Sequence, residues 1–246
     1  ELWTWVYPLK PQSESIPQGK PLDPGQGLKT GGTELRVEPD TGSLLGVTVE
    51  GREFSLRGGP IPDAKWQALD SGWFKLGYSV DPAVQTAVVG VAFDYPEEKM
   101  VKKTWLGDGP YRVWRNRRAG VSLGVWETTV NQTSTGYGDL VYPEFSGFFS
   151  GVRWLRLTTT EGTLTLMIPD DHKFVRVGTP QTPGWKLMAK MAGTYPAGNI
   201  AVLGDIPPMG NKFHTGGQTG PQSTKLLATE PYQGNLYLRF EANDPR

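Results

Sequence analysis

Residues Trp105 to Arg118, WLGDGPYRVWRNRR, place two Trp, a Gly-Asp-Gly-Pro run and four Arg within fourteen positions. Lys102 to Leu106 has the alternating chemistry of a strand, and Gly107 to Pro110 reads as a turn, because Gly and Pro punctuate extended segments. Tyr111 to Arg118 then interleaves aromatic rings with guanidinium groups. Two readings follow from these residue types. In one, the Arg stems and the rings brace the face of a sheet while the charged heads stay wet. In the other, the rings offer stacking faces and the guanidinium groups forked donors, so that the stretch meets a sugar or another domain.

The rest of the chain sets this stretch among short strands. Thr33 to Val37 and Leu44 to Glu50 flank an Asp40-Thr41-Gly42 turn, and Gly51-Arg52 closes a hairpin onto Glu53 to Arg57. Gly58 to Ser71, with Pro60 and Pro62, reads as a loop. Extended patterns resume over Trp73 to Ser79, Val84 to Tyr95 and Lys99 to Leu106, and within the middle one Val84 to Phe93 is apolar on both faces over part of its length, as in a strand between layers. Val121 to Glu127 follows, and Val152 to Thr159 pairs with Thr163 to Ile168 across Glu161-Gly162. Asn235 to Glu241 alternates cleanly and closes the series. Trp185 to Ala192 has the only helical spacing, about two turns of it. Tyr142 to Phe149 carries four aromatic rings, and Asn131 to Thr133 is formally a glycosylation sequon.

Composition agrees with an all-β chain: of 246 residues 32 are Gly and 21 Pro, while the 37% hydrophobic content still supplies a core. Twenty-five basic and twenty-five acidic residues cancel, so no long-range field favours nucleic acid or an anionic membrane, and a neutral partner such as carbohydrate fits better. Cysteine is absent, which excludes disulfides and thiolate chemistry. At the N-terminus LWTWVYP alternates like a strand, and Pro11 to Gly27 has linker composition. The expected organisation is residues 1–26 as the end of a preceding β domain and its linker, then residues 27–246 as one sandwich.

WLGDGPYRVWRNR resembles the Trp-(Leu or Phe)-Gly-x-Gly-Pro signature of the C-terminal small-chain domain of family 2 β-galactosidases. Trp105, Leu106, Gly107, Gly109, Pro110 and Arg117 match it position for position. The family continues with Glu-Asn-Tyr and an Asp-Arg pair, where this chain has Arg112, Val113, Trp114 and Asn116-Arg117. Glu38 to Leu56 resembles the family's opening hairpins. Phe213-His214 and Gly216-Gly217 resemble its late loop, although Gln218 to Pro221 replace the Asp-Asp-Ser-Trp that follows there. The resemblance spans about residues 27–240.

It implies a large antiparallel β-supersandwich, galactose-mutarotase-like in fold. Such a domain packs against a catalytic barrel and other domains of the same polypeptide and helps frame a carbohydrate site. The catalytic glutamates belong to the barrel, no cofactor is implied, and a periplasmic or secreted setting is favoured. The candidate residues for contact with sugar or domain are Tyr111, Arg112, Trp114, Arg115, Asn116, Arg117, His214, Gly216 and Gly217. Arg112, Arg115 and Arg118 are expected solvated or paired with acids, Trp105 structural and Trp114 facing the surface.

Other chemistry reads more plainly. Glycoside hydrolysis needs two carboxyl groups held about 5 to 9.5 Å apart, but Glu97-Glu98 and Asp170-Asp171 each follow a Pro and read as solvated turns. Asp170-Asp171-His172 offers metal-ligand types at adjacent positions, which rarely converge on one ion. Two rival functions stay open. An autonomous carbohydrate-binding module is suggested by nine Trp. A mutarotase-like aldose isomerase would need His172 or His214, and neither lies in a segment like the mutarotase motifs.

Overall fold

The computed structural model describes residues 16–59, 64–80, 89–129, 148–170, 173–178, 199–206, 208 and 231–243. In chain order its strands are β1 (Leu28–Thr30), β2 (Thr33–Val37), β3 (Leu44–Val49), β4 (Arg52–Phe54), β5 (Arg57–Gly58), β6 (Lys65–Ala68), β7 (Phe74–Val80) and β8 (Val89–Asp94). Then come β9 (Met100–Gly109), β10 (Ser122–Thr129), β11 (Phe149–Ser150), β12 (Trp154–Thr159), β13 (Gly162–Met167), β14 (Phe174–Val177), β15 (Ile200–Asp205) and β16 (Tyr232–Ala242). They build two antiparallel sheets. One has the order β1-β2-β3-β5-β8-β15-β14-β11, with β4 added on β3, and the other β10-β9-β12-β13-β16-β7-β6. This is the all-β antiparallel sandwich expected from the sequence.

Pairing register shows how the core is made. Trp126, Trp105, Leu155, Leu166, Leu238, Phe74 and Ala68 stand opposite one another from β10 across to β6. Because side chains alternate between faces, this row points inward. It meets Val91, Phe93, Val175, Val177, Ile200 and Val202 of the other sheet.

The sandwich is closed differently along its two sides. Beside β6, the Leu22 amide donates to the Ala68 carbonyl at 2.8 Å and the Asp70 amide to the Lys20 carbonyl at 3.1 Å. Thr30 of β1 donates to the Leu69 carbonyl. Part of the expected linker is therefore docked along the sheet. On the opposite side β11 stands over β9, and β10 lies beyond β9 at the sheet's edge.

Two expectations need correction. Gly107 and Gly109 do not turn the chain, because β9 runs on through Gly109. A Cβ at Gly107 would stand 2.9 Å from the Val152 Cα, and one at Gly109 2.5 Å from the Trp126 indole. Both positions need Gly for close packing inside a strand, and the bend begins at Pro110. Within the expected loop from Gly58 to Ser71, Lys65–Ala68 is a strand on β7. Its KWQA sequence does alternate, with Trp66 and Ala68 inward against Lys65 and Gln67, but over four residues only and just after Pro60 and Pro62, so the whole stretch reads as a loop. In β8 Val89, Val91 and Phe93 are fully buried on one face, and on the other Ala92 packs against the cluster around Trp114, as expected of a strand between layers. The segment Trp185 to Ala192, the sequon and the N-terminal aromatic strand lie outside the described residues.

Candidate functional site at the arginine-rich strap

At the end of β9 two indoles lie in cross-strand register, Trp105 and Trp126. Trp105 Nε1 donates to the Asp108 carbonyl at 3.1 Å and Trp126 Nε1 to the Gly107 carbonyl at 3.2 Å. The signature Trp is fully buried and stands 4.2 Å from the ring of Phe149 on the facing sheet.

Beyond Pro110 the chain leaves the seven-stranded sheet and crosses to the outer face of the nine-stranded one. That face carries Phe174, Ala201 and Leu203, which alternate with the inward Val175, Ile200 and Val202. Val113 and Trp114 cover it together with Phe148 and Ile206. Val113 and Phe148 exchange backbone hydrogen bonds of 2.7 and 2.8 Å, and the backbones of Trp114 and Arg117 also bond to each other. The Trp114 ring stands edge-on to Phe148 at 5.5 Å. Residues 110–121 are thus a strap from one sheet onto the back of the other.

Its charges are held one by one. Arg112 is buried, donates through Nη2 to the Val177 carbonyl at 2.8 Å and lies 5.3 Å from the centre of the Phe149 ring. Lys103 approaches the same ring, also at 5.3 Å. Burial, and after it the neighbouring Arg112 charge, pulls the Lys103 ammonium down to about 6, so at neutral pH it is mostly uncharged. Arg115 pairs with Asp205 of β15 at 3.1 Å, and Arg118 with Asp108 at 3.1 Å. Ser150 Oγ donates to Asp108 at 2.6 Å, and the Arg118 guanidinium lies 5.9 Å from the Phe174 ring. Burial raises the Asp205 pKa, against the Ile206 amide and Arg115, which favour its ionised form. Close by, Lys173 donates to the Tyr232 hydroxyl and pairs with Asp170 at 2.7 Å. Burial pushes the Tyr232 hydroxyl up to about 12.

Of the candidate residues, Tyr111 and Arg117 are exposed, Arg115 and Asn116 half-buried. The acid partners expected for Arg115 and Arg118 are present. Trp114 is not surface-facing: only 2% of it is exposed, because the apolar back of the nine-stranded sheet requires a cover. Arg112 is not solvated but buried. It meets a backbone carbonyl and an aromatic face. His214, Gly216, Gly217 and His172 lie outside the described residues.

Sequence reading missed Lys103, Asp108, Ser150 and Asp205. Only Lys103 had a legible signal, since it stands two residues before an inward Trp105 on the same strand.

A second polar cluster lies at the far end of the sandwich. The Glu161 carboxylate, in the β12–β13 turn, accepts from the Ser55 amide and hydroxyl at 2.8 Å each and from the Tyr95 hydroxyl at 2.9 Å, and it pairs with Lys99. Burial works against its ionised form, but the hydrogen bonds from Lys99, Ser55 and Tyr95 hold its pKa below the usual value. Beside it opens a cleft of about 680 Å³ lined by Ser55, Arg57, Asp94, Glu97, Glu98 and Asn199 among others. Glu97 and Glu98 begin a short 3-10 turn; Glu98 is exposed as expected, whereas Glu97 is half-buried and accepts from Asn199 Nδ2 at 3.0 Å. Among the described residues no three metal-ligating side chains converge.

Residues 33–197 match the family model of the beta galactosidase small chain. The chain belongs to that family. The match runs from β2 through β14, so it includes the Trp105–Pro110 signature and the whole strap of this small-chain protein. β15 and β16, which lie beyond the match, are internal strands of the two sheets. Comparison with curated proteins gives no match.

Proposed function

We propose that this small-chain sandwich is the non-catalytic part of a β-galactosidase-like glycoside hydrolase. It packs on a catalytic barrel and frames the carbohydrate site with its strap. The observation that carries this reading is the double anchoring of residues 110–121. The family signature leads into a segment fixed to both sheets, on which Tyr111 and Arg117 are exposed. Recognition favours loops carried in this way. An aromatic ring beside forked donors suits a sugar's C–H face and hydroxyls, or a carboxylate on a neighbouring domain. The carboxylates of the strap region serve its own cations: Asp108 holds Arg118 and Asp205 holds Arg115.

The test has two parts. The isolated chain is expected to leave a nitrophenyl β-galactoside unhydrolysed, and purified chain that turned it over would sink the non-catalytic assignment. In a polypeptide carrying both sandwich and barrel, Tyr111→Ala and Arg117→Ala should raise KM or weaken docking while the melting of the isolated sandwich barely moves. Unchanged kinetics and docking in both variants would leave the strap a purely structural element.

A further inference from the structure

Among the described residues the two sheets have four edges, and three of them are short or covered. β1 has three residues and its Lys29 pairs with Glu34; β11 has two; β6 has Lys20 to Leu22 laid against its end. Short, charged or covered edges are how sandwich proteins avoid pairing with other chains. β10 shows none of these devices. It has eight residues, lacks Lys, Arg and Pro, pairs with β9 without a register shift, and has no strand on its other side among the described residues. Leu123 and Val125 are 53% and 60% exposed. They extend the apolar row that passes through Leu106, Trp154 and Met167 on the outer face of the sheet.

We propose that β10 is a self-pairing edge, where two copies of this chain join antiparallel about a two-fold axis at Val125. An unpaired row of backbone donors and acceptors is satisfied by another extended strand, and an antiparallel edge meets its own copy with the same residues on both sides. Side chains select the register. With Val125 opposite Val125 of the second copy, Leu123 faces Glu127 and Gly124 faces Trp126, so a small residue meets a large one on the inner face. No like charges stand opposite each other. Glu127, the one charged residue of the strand, is already engaged by Lys102 at 3.0 Å and Thr104 at 3.1 Å. Pairing from Leu123 to Glu127 forms only about four to six backbone hydrogen bonds, so the dimer should be weak and concentration-dependent.

Sedimentation equilibrium of the chain should show the apparent mass rising from 27.0 kDa towards twice that value as concentration increases. Val125→Lys sets like charges opposite each other and should raise the dimer Kd at least tenfold without lowering Tm, because the side chain is exposed. The register is tested by oxidative cross-linking, which has no background in a chain without cysteine. Val125→Cys should give a disulfide-linked dimer, whereas Leu123→Cys, which faces residue 127, should not. A constant mass of 27.0 kDa up to near-millimolar concentration would overturn the proposal. So would a dimer indifferent to Val125→Lys, or equal cross-linking of both Cys variants.

Discussion

The two ends of the sandwich are fastened by different chemistry. At the Glu161 end one carboxylate gathers Ser55, Tyr95 and Lys99, joining the β12–β13 turn of one sheet to segments of the other. At the strap end the fastening is apolar: Val113 and Trp114 cover the back of the nine-stranded sheet, and Arg112, Arg115 and Arg118 are settled separately on a carbonyl, an acid or a ring. The first depends on the charge of one group, the second on buried area.

The comparison is tested hardest through the two signature-region indoles. Trp105→Ala should cost about 3 to 5 kcal/mol, the range for removing a buried Trp. Trp114→Ala should fall in that range too, because the ring is equally enclosed. The two variants should differ in where the damage appears. Loss of Trp105 loosens the central core, whereas loss of Trp114 frees the strap and speeds amide exchange over residues 111–121 while β12 and β13 stay protected. Denaturant melts giving less than about 1 kcal/mol for Trp114→Ala would mean that the strap rests loosely on the surface, and the contrast between the ends would disappear.

That indole also marks how far the sequence could be read. Strand order and hairpins were legible wherever apolar alternation was strong, as in β2, β3, β12, β13 and β16. β6 was not, because Trp66 and Ala68 alternate with Lys65 and Gln67 over only four residues, close behind Pro60 and Pro62, and the strand depends on pairing with β7. Composition around Trp114, with Arg on several sides, pointed to solvent. Its burial depends on Phe174, Ala201 and Leu203, which are distant in sequence and exposed on the sheet's back until something covers them. The Glu161-Gly162 turn was visible, but Ser55 lies 106 residues away, so nothing local announced that the carboxylate would bind across the sheets. The glycines of the signature misled for a related reason: local sequence reports Gly as a turn former, whereas Trp126 and Val152 supply the need for it here.

A smaller effect separates the ends by pH. Glu161 has a folded pKa depressed below 4.5, so its contribution is fully present above the unfolded value and is lost as pH falls through the folded one. Glu161→Gln should cost about 1 to 2 kcal/mol at pH 7, discounted because the Lys99 partner is more than a third exposed. The gap between wild type and variant should shrink as pH drops below 4.5. Asp205 at the strap has the opposite sign. Its raised folded pKa means that the cost of burying the charge grows as pH rises from the unfolded value of 3.8 through the folded one, and is absent in acid. A Glu161→Gln gap that stayed constant from pH 7 to pH 3 would show that the clasp does not depend on ionised Glu161.

The smallest effect concerns the outermost charge of the strap. Arg118 pairs with Asp108 at 3.1 Å, but its side chain is 50% exposed, so Arg118→Ala should cost no more than about 0.5 kcal/mol. Asp108 is different, since it also accepts the hydroxyl of buried Ser150 at 2.6 Å. Asp108→Ala leaves that hydroxyl without its acceptor and should cost about 1 to 3 kcal/mol. A double-mutant cycle separates the two contacts: the Asp108–Arg118 coupling should stay within about 0.5 kcal/mol, while Asp108–Ser150 accounts for most of the loss. A large coupling to Arg118, falling steeply with added salt, would reverse the order. The strap would then depend on charge as much as the Glu161 clasp does, and the distinction between the two ends would reduce to one of position.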